Sequence, residues 1–382
     1  MKSARAMRSV LPPLRRNKIK LTYVLSAILA VTVGLVMPRP VCGQTNAYLV
    51  TELSSADAGE VPSKLNNLGD IAGRACSAAE GGTRATIWNH SDLKTKHLGG
   101  LLGGDYSSAS AINDAGQVAG VSNTSKAMLP FIWTPTTGLQ RVPLLPGDNC
   151  GQANGINKYG HVAGYSSGRT GAKAFLWART TGVRNLGVLP GGDHSRARDV
   201  NDSDEVVGTS ASSAGERAVL WTKGGNVRDL GTLPGDWASE ATAINNTGDV
   251  VGYSKGPRGM RAFIWTNGSG MQELGVLPGG SSSRALAVSN LGEVVGSSTS
   301  ASGDHAFLWT RQTGMTDLNG AESMNLGVVF VEAHAINYKG EIIVTGRVMH
   351  EPGMSGQAVS TENQECAPAP PSSFLLIPTP AK

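Results

Sequence analysis

The chain contains few of the residues on which most metal and catalytic motifs depend. Of its 382 residues, four are cysteine and seven are histidine, and no CxxC pair or Cys/His spacing suited to zinc occurs. No HExxH motif, EF-hand loop or nonapeptide calcium repeat is present either. These absences exclude zinc-ribbon, zinc-hydrolase and EF-hand classes. We therefore expect no cofactor and no histidine-metal centre.

Acidic residues are absent from the first 43 positions, although 8 of the 33 Lys and Arg residues lie there. The apolar run from Leu21 to Met37 follows this basic segment, which is the pattern of a secretory signal. We predict a signal peptide over residues 1–43, cleavage near Gly43, and a secreted or cell-surface protein. The alternative is an uncleaved membrane anchor, since about 17 apolar residues is the low limit for spanning a bilayer.

The basic balance of the whole chain comes from that segment alone. Without it, 25 basic and 29 acidic residues remain, so the net charge changes from +4 to −4. No basic block is left, which argues against nucleic-acid binding. The remaining cysteines are Cys76, Cys150 and Cys366, an odd number that allows one disulfide without fixing its pairing.

Two motifs repeat in phase along residues 44–382. Six tryptophans recur every 44 or 45 residues, at Trp88, Trp133, Trp177, Trp221, Trp265 and Trp309. An Asn-x-x-Gly turn before a Val-rich strand occurs seven times, at 66–73, 113–120, 157–164, 201–208, 245–252, 289–296 and 337–346. Asn can bond nearby backbone and Gly accepts positive φ, so each copy predicts a tight hairpin. Asp204 replaces Gly in the fourth copy and tolerates the same conformation, and Ser289 replaces Asn in the sixth.

Each repeat has room for four short strands, which in the fifth are residues 240–245, 249–254, 261–266 and 271–277. The third strand is apolar on consecutive residues, as expected when neighbouring sheets cover both faces. An alanine recurs four residues before the Asn, which suits a crowded central axis. We predict an all-β fold, a β-propeller of four-stranded antiparallel blades. A β-solenoid is the alternative, but its coils usually repeat over shorter periods.

The chain ends predict how the ring closes. The seventh repeat has its first two strands at 332–337 and 341–348, then a Pro-rich insertion near 351–372 and a third strand at 373–377. Residues 48–53 resemble the fourth strands and precede the first repeat. Closing the last blade with this N-terminal strand removes two exposed sheet edges. We therefore predict a single, monomeric seven-bladed domain.

The strand that contains the tryptophan carries a family resemblance. KAFLW at 173–177, RAFIW at 261–265 and HAFLW at 305–309, with the INxxGxVVG and LGxLPGG elements, resemble the HAF family of bacterial extracellular repeat proteins. The resemblance covers nearly all of residues 44–382. It implies a secreted or cell-surface repeat protein and supplies no catalytic residues. RAVLW, RATIW and the last repeat, which lacks Trp, depart from the pattern.

Two kinds of loop should lie on the same face of the ring: those that join one blade to the next, and the hairpins between the second and third strands of a blade. Such a face is the usual ligand-binding surface of a propeller. These loops carry aspartates at equivalent places, Asp105, Asp148, Asp193 and Asp236. They are weak calcium candidates, because one carboxylate per loop falls far short of about 6 to 8 oxygen ligands. The simpler prediction is that each carboxylate accepts backbone N–H bonds in its own turn.

Two sets of positions vary between repeats and are candidates for recognition. The first follows the loop aspartate and holds Tyr106, Asn149, His194 and Trp237. The second precedes the recurrent alanine, near the predicted channel mouth, and holds Ser108, Gln152, Arg196, Glu240, Arg284 and Glu332. The variation in the first set could equally reflect unconstrained sequence change at exposed loop tips. The charges in the second set could equally form ion pairs with one another.

We predict a non-catalytic binding scaffold for a protein or glycan ligand. Tyr106, His194, Trp237, Arg196, Glu240, Arg284 and Glu332 are its candidate binding residues. The alternative is an extracellular hydrolase or lyase that acts on polysaccharide through the same face. An enzyme requires at least three titratable side chains within hydrogen-bond reach at the channel mouth, whereas dispersed groups would argue against it.

Overall fold

The computed structural model describes residues 48–53, 60–77, 81–320, 323, 325–348 and 372–379. The predicted signal peptide and most of the Pro-rich insertion lie outside these residues. No helix in the described part of the chain is long and apolar enough to cross a membrane.

Seven four-stranded antiparallel sheets form the blades of a β-propeller, as predicted. The innermost strands are β2 (Val61–Leu65), β6 (Ser107–Ile112), β10 (Cys150–Ile156), β14 (Ser195–Val200), β18 (Ala238–Ile244), β22 (Ser283–Val288) and β26 (Val328–Ile336). The second strands are β3 (Ile71–Cys76), β7 (Val118–Asn123), β11 (Val162–Gly168), β15 (Val206–Ser212), β19 (Val250–Gly256), β23 (Val294–Ser300) and β27 (Ile342–Val348).

The outer half of each blade completes the sheet. The third strands are β4 (Thr83–Trp88), β8 (Met128–Thr134), β12 (Gly171–Ala178), β16 (Gly215–Trp221), β20 (Gly259–Thr266), β24 (Gly303–Thr310) and β28 (Ser372–Pro378). The outermost strands are β5 (Thr95–His97), β9 (Gly138–Arg141), β13 (Gly182–Asn185), β17 (Val227–Asp229), β21 (Gly270–Gly275), β25 (Gly314–Asp317) and β1 (Tyr48–Glu52). Blades 1 to 6 begin at β2, β6, β10, β14, β18 and β22, and blade 7 begins at β26.

The last blade is composite, and its closure confirms the prediction. Strand β1 pairs antiparallel with β28, in a register from Tyr48 opposite Pro378 to Glu52 opposite Phe374. Strand β28 then pairs with β27, so blade 7 takes its outermost strand from the N-terminal side. This pairing covers the edge that β28 would otherwise expose.

The Asn-x-x-Gly turns form as their chemistry predicts. In blade 5 the Asn245 side-chain oxygen accepts the backbone N–H groups of Thr247 at 3.1 Å and Asp249 at 2.8 Å. Gly248 follows with φ of +83°, and Asp204 takes the same region in blade 4 with φ of +60°. The local side-chain bond and the left-handed residue together close each hairpin.

Hydrophobic clusters lie between successive blades rather than at one centre. Between blades 4 and 5, Phe263 and Trp265 of blade 5 pack with Val207 and Ala218 of blade 4. A corresponding cluster joins blade 7 to blade 1 and includes Trp88. Burying each large side chain stabilises the ring by about 1.5–3 kcal/mol. The tryptophans are therefore interblade core, although Trp309 is only partly buried.

Buried serines also join neighbouring blades. Ser239 Oγ of blade 5 accepts the N–H of Ala218 in blade 4 at 2.9 Å and donates to the Gly231 carbonyl at 2.6 Å. Equivalent pairs of bonds are made by Ser107, Ser195 and Ser283. These bonds satisfy backbone groups beyond the ends of the sheet ladders, where burial would otherwise be costly.

Every innermost strand contains a β-bulge beside the channel. In blade 5 the pairing with β19 shifts between Ala241 and Ala243, which leaves Thr242 as the extra residue. Gly252 of β19 has no room for a side chain, because a Cβ there would be 1.9 Å from the Glu240 carbonyl oxygen. The bulge therefore controls which side chains enter the channel.

Two of the four cysteines lie within the described residues. Cys76 is disulfide-bonded, whereas Cys150 is a free thiol that is half-buried on β10. Cys150 therefore takes no part in the single disulfide that the cysteine count allows.

Candidate functional site

Loops between blades and the hairpins between second and third strands lie together on one side of the ring, here called the loop face. A cavity of about 490 Å³ shows this arrangement in blades 3 and 4. The β11–β12 hairpin contributes Arg169, and the loop and strand that begin blade 4 contribute Asp193, His194 and Arg196.

His194 and Trp237, which occupy equivalent positions in successive loops, flank the same β15–β16 hairpin. Glu216 of that hairpin contacts His194 Nε2 at 2.5 Å. The next residue, Arg217, donates to the Trp237 carbonyl at 2.7 Å. The Trp237 side chain itself is 53% exposed, which leaves a large aromatic surface open to solvent.

The cavity is rich in positive charge. Arg169 and Arg196 are both exposed, and within the described residues neither forms an ion pair with a carboxylate. The Arg196 guanidinium lies 5.6 Å from the centre of the Tyr165 ring, a cation–π distance. Hydrogen bonding to Asp193, aided by Glu216, raises the pKa of His194 and favours its cationic form.

Two networks of three titratable side chains line the channel near this face. In the first, Glu240 accepts from Arg198 Nε at 2.8 Å and from the Tyr253 hydroxyl at 2.7 Å. In the second, Glu332 accepts from Arg284 at 2.9 Å and lies 3.3 Å from His334 Nδ1. The condition for an enzyme, three converging titratable groups, is therefore met twice.

Both networks are internally satisfied, which limits their use in proton transfer. Burial and the hydrogen bond to Glu240 raise the pKa of Tyr253 to about 12, so the phenol stays protonated at neutral pH. Burial lowers the pKa of His334, although the negative charge of Glu332 acts to raise it. Both of its ring nitrogens have partners, Glu332 and Thr345. Neither network presents an uncommitted base.

Charge is distributed unevenly around the channel. At the position before the recurrent alanine, blades 4 to 7 carry Arg196, Glu240, Arg284 and Glu332, whereas blades 1 to 3 carry Val61, Ser108 and Gln152. Stability alone does not require this asymmetry, because the repeats are otherwise alike. One half of the mouth is therefore chemically distinct from the other.

At the position two residues after the recurrent alanine, two opposite charges lie among small residues. Ala or Gly occupies this position in five blades, while blade 1 has Lys64 and blade 4 has Asp199. Asp199 accepts the N–H groups of Val200 at 2.9 Å and Ile244 at 3.2 Å. Burial raises its pKa, and the charge of Lys64 opposes that shift. This carboxylate therefore also joins blade 4 to blade 5.

The loop aspartates differ in the partners that their carboxylates contact. Asp105 accepts from the Asn123 side chain at 2.6 Å, and Asp148 accepts from the Ser166 hydroxyl at 2.6 Å. Asp193 contacts His194 at 2.6 Å, and Asp236 has one buried oxygen without a partner among the described residues. Asp105 and Asp193 also accept the backbone N–H of their own residue.

These aspartates also stay apart from one another. Asp105 and Asp148 contact different hairpins, and no group of three or more Asp, Glu, His or Cys residues in the described part of the chain could hold a metal ion. Tyr106 likewise does not line the 490 Å³ cavity. It is half-buried between blades 1 and 2, with its N–H bonded to Asn123 at 2.8 Å.

Sequence reasoning missed several residues that the structure brings to the channel. Arg198 and His334 occupy the bulge position, two residues after the ring that was singled out, and Tyr253 faces Glu240 from the second strand. A comparison of all seven repeats at every position would have shown these departures. GYSSG at 164–168 also has the spacing of a nucleophile elbow, but Ser166 is buried in β11 and donates to Asp148.

Comparisons with known proteins support the fold and no more. No family model matches the chain, and no curated protein matches it. An oligogalacturonate lyase in complex with manganese is 12% identical over 88% of this chain and 94% of its own, with a TM-score of 0.54. Virginiamycin B lyase from Staphylococcus aureus is 11% identical over 87% and 99%, with a TM-score of 0.50.

TolB from Acinetobacter baumannii is similar over a shorter span. It is 17% identical over 65% of this chain, with a TM-score of 0.46, and the match covers 63% of TolB, less than two thirds of its length. The likeness to the two lyases, at 11–12% identity, shows a shared fold alone.

Proposed function

We propose that this protein is an exported, non-catalytic scaffold whose loop face binds an acidic glycan. The observation that carries the proposal is the pair Arg169 and Arg196, exposed over one 490 Å³ cavity and without carboxylate partners in the described part of the chain. Guanidinium groups bind carboxylates with paired, charge-assisted hydrogen bonds. A ligand carboxylate is therefore the expected partner.

A sugar ring is favoured over a simple anion because of Trp237. Its exposed indole lies on the other side of the β15–β16 hairpin from His194, so charge and a flat aromatic surface flank one hairpin. Aromatic rings supply apolar contact for the C–H face of a sugar, while the arginines supply charge recognition. The signal-like N-terminal segment and the resemblance to HAF repeat proteins support an extracellular setting.

Calorimetric titration with a uronic acid oligosaccharide and its neutral methyl ester tests the proposal. We expect the acid to bind and the ester to bind at least about tenfold more weakly, since each charge-assisted bond is worth about 1.5–3 kcal/mol. Arg169→Ala combined with Arg196→Ala, and separately Trp237→Ala, should weaken binding of the acid. Arg179→Ala removes an exposed arginine bonded to Gln140 and is the matched control.

The proposal fails if the acidic and neutral oligosaccharides bind equally, or if neither binds. It also fails if the arginine variants bind as the wild type does. Binding that survives Trp237→Ala unchanged would remove the aromatic surface from the site and leave only the cavity.

A polysaccharide lyase or hydrolase is the second candidate, favoured by the two converging networks of the channel. Glu240 and Glu332 are its most plausible acid or base groups, although both are held by arginine. Incubation with acidic polysaccharides should then release new chain ends, and Glu240→Gln or Glu332→Gln should abolish that release. Intact substrate after prolonged incubation with the wild type would exclude this candidate for the polysaccharides used.

A further inference from the structure

The opposite side of the ring, here called the turn face, carries the seven Asn-x-x-Gly turns and the second mouth of the channel. An inner ring of hydrogen bonds surrounds this mouth. In it the side-chain amide of each turn Asn donates to the backbone carbonyl at the same place in the next blade. The donors are Asn66, Asn113, Asn157, Asn201, Asn245 and Asn337, at 2.9–3.2 Å.

An outer ring runs parallel to it. The residue after each turn Asn donates its backbone N–H to the side-chain oxygen of the equivalent residue in the next blade. This bond links Asn67 to Asp114, Lys158 to Asp202, Asp202 to Asn246, Asn246 to Asn290, and Tyr338 to Asn67, at 2.8–3.3 Å. The two rings together tie the blades at this face.

Both rings are interrupted at the junction between blades 6 and 7. Ser289 replaces the turn Asn, and its hydroxyl contacts Glu293 instead of the Asn337 carbonyl. Among the described residues that carbonyl accepts only the Gly340 N–H, at 3.0 Å. In the outer ring, Tyr338 stands where most other blades have Asn or Asp, and its side chain has no oxygen close to the backbone. The Asn290 N–H therefore has no partner in the described part of the chain. One acceptor and one donor are thus left open at this junction.

The other interruption is less complete. Lys158 cannot accept the Asp114 N–H, so the outer ring is open between blades 2 and 3. The inner ring is intact there, since Asn113 donates to the Asn157 carbonyl at 2.9 Å. Among the residues that the structure describes, only the junction of blades 6 and 7 therefore leaves both a donor and an acceptor open.

The mouth beside this junction is a small cup of about 180 Å³. Its wall is aliphatic and its rim is polar, with Val288, Asn290, Ile336 and Tyr338 on the blade 6 and 7 side. Tyr338 is 50% exposed and Leu291 on the adjacent turn is 64% exposed. The volume is below the roughly 300 Å³ of drug-sized pockets, so it suits a single small ring.

We propose that this junction is a second binding site, for a neutral hexopyranose unit. One sugar hydroxyl donates to the Asn337 carbonyl and accepts from the Asn290 N–H, which a hydroxyl can do at once. The C–H face of the ring packs on Tyr338. An anionic sugar is disfavoured because Glu293 and Glu341 are buried beneath the junction, where Glu341 accepts from the Asn337 amide at 2.6 Å. The site is independent of the loop face.

Restoring the repeat residues provides a direct test. Ser289→Asn should extend the inner ring to the Asn337 carbonyl, and Tyr338→Asn should supply the acceptor missing from the outer ring. The double variant is expected to melt at or above the wild-type temperature while losing the site. Tyr338→Ala removes the aromatic surface alone, and Tyr159→Asn, at an exposed turn of blade 3, is the matched control.

The measurement is saturation-transfer NMR of the full chain with a panel of methyl hexopyranosides. We expect transfer from the wild type and from Tyr159→Asn, and a fall of about tenfold in affinity for the double variant and severalfold for Tyr338→Ala. The proposal is overturned if the wild type gives no transfer with any glycoside. It is also overturned if the restored variant binds as the wild type does, or if Tyr159→Asn loses as much binding as Tyr338→Ala.

Discussion

The side-chain amide of Asn337 donates to the backbone carbonyl of Asn66 at 3.1 Å and so joins the last blade directly to the first. The two residues are 271 positions apart, yet they make the same contact that neighbouring repeats make over 44 positions. Ring closure therefore depends on a repeated local motif as well as on the composite sheet of blade 7.

Replacing Asn337 with alanine should destabilise the ring by about 1–3 kcal/mol, because buried donors and acceptors lose their partners. Its side-chain oxygen also accepts the N–H groups of Lys339 at 3.0 Å and Glu341 at 3.1 Å. Urea unfolding measures the change. Lys339→Ala, which removes only an exposed bond to the Leu68 carbonyl, should stay within about 0.5 kcal/mol of the wild type. Equal effects of the two changes would contradict the role of the Asn ring.

Adjacent residues of β1 should differ in how strongly a new charge lowers the melting temperature. Val50 packs against the cluster between blades 6 and 7, whereas Leu49 is 59% exposed on the other side of the strand. Val50→Asp should lower the melting temperature strongly, since burying an unpaired carboxylate is costly. Leu49→Asp should change it little. If both variants melt like the wild type, β1 does not close blade 7.

Gly252→Ala should destabilise by about 1–3 kcal/mol or more, because its Cβ would lie 1.9 Å from the Glu240 carbonyl oxygen. The added methyl group must push the innermost strand and displace the Glu240 side chain in the channel. Gly268→Ala is the matched control, since nothing lies within 4 Å of a Cβ there. Denaturant midpoints compare the two variants. A Gly252→Ala protein as stable as the control would show that the bulge relaxes freely.

The contribution of His194 to stability should fall as pH rises. Asp193 and Glu216 raise the pKa of His194 in the folded protein above its unfolded value of about 6.5. The folded state therefore holds this proton more tightly. The extra stability is complete below about pH 6.5 and is lost as pH rises through the folded pKa.

Unfolding of the wild type and His194→Asn across that pH range checks the sign. The free-energy difference between them should shrink as pH increases. Glu216→Gln should reduce the pH dependence without removing it, because Asp193 still contacts the ring. A difference that grows with pH would contradict the contact with the two carboxylates.

Much of the fold follows from short-range chemistry along the chain. The Asn-x-x-Gly turns, the positive φ of Asp204 and the doubly covered third strands depend on residues within one repeat. The composite seventh blade was also predictable. The last repeat lacks one strand and a spare strand precedes the first repeat, so pairing the two is the arrangement that leaves no sheet edge exposed.

The candidate site was predicted only in part. Arg196 and His194 were singled out and do line one cavity, but Arg169 comes from a hairpin of the preceding blade. Arg198 and Tyr253 reach Glu240 because a bulge adds one residue to β14 and because β18 and β19 pair in a particular register. Neither the bulge nor the contact between blades can be located from a single repeat.

The amino-acid sequence by itself determined the number of blades and the turns, because hydrophobic spacing and turn chemistry act within about ten residues of one another. It also determined the way the ring closes, because the incomplete last repeat lacks the strand that is spare at the N-terminal side. The tertiary structure alone decided which variable side chains meet. Glu216 and His194, and Arg198 and Glu240, are 22 and 42 residues apart. The Arg198–Glu240 contact exists only once blades 4 and 5 have packed, whereas the His194–Glu216 contact forms when the loop before β14 folds against β16 of the same blade.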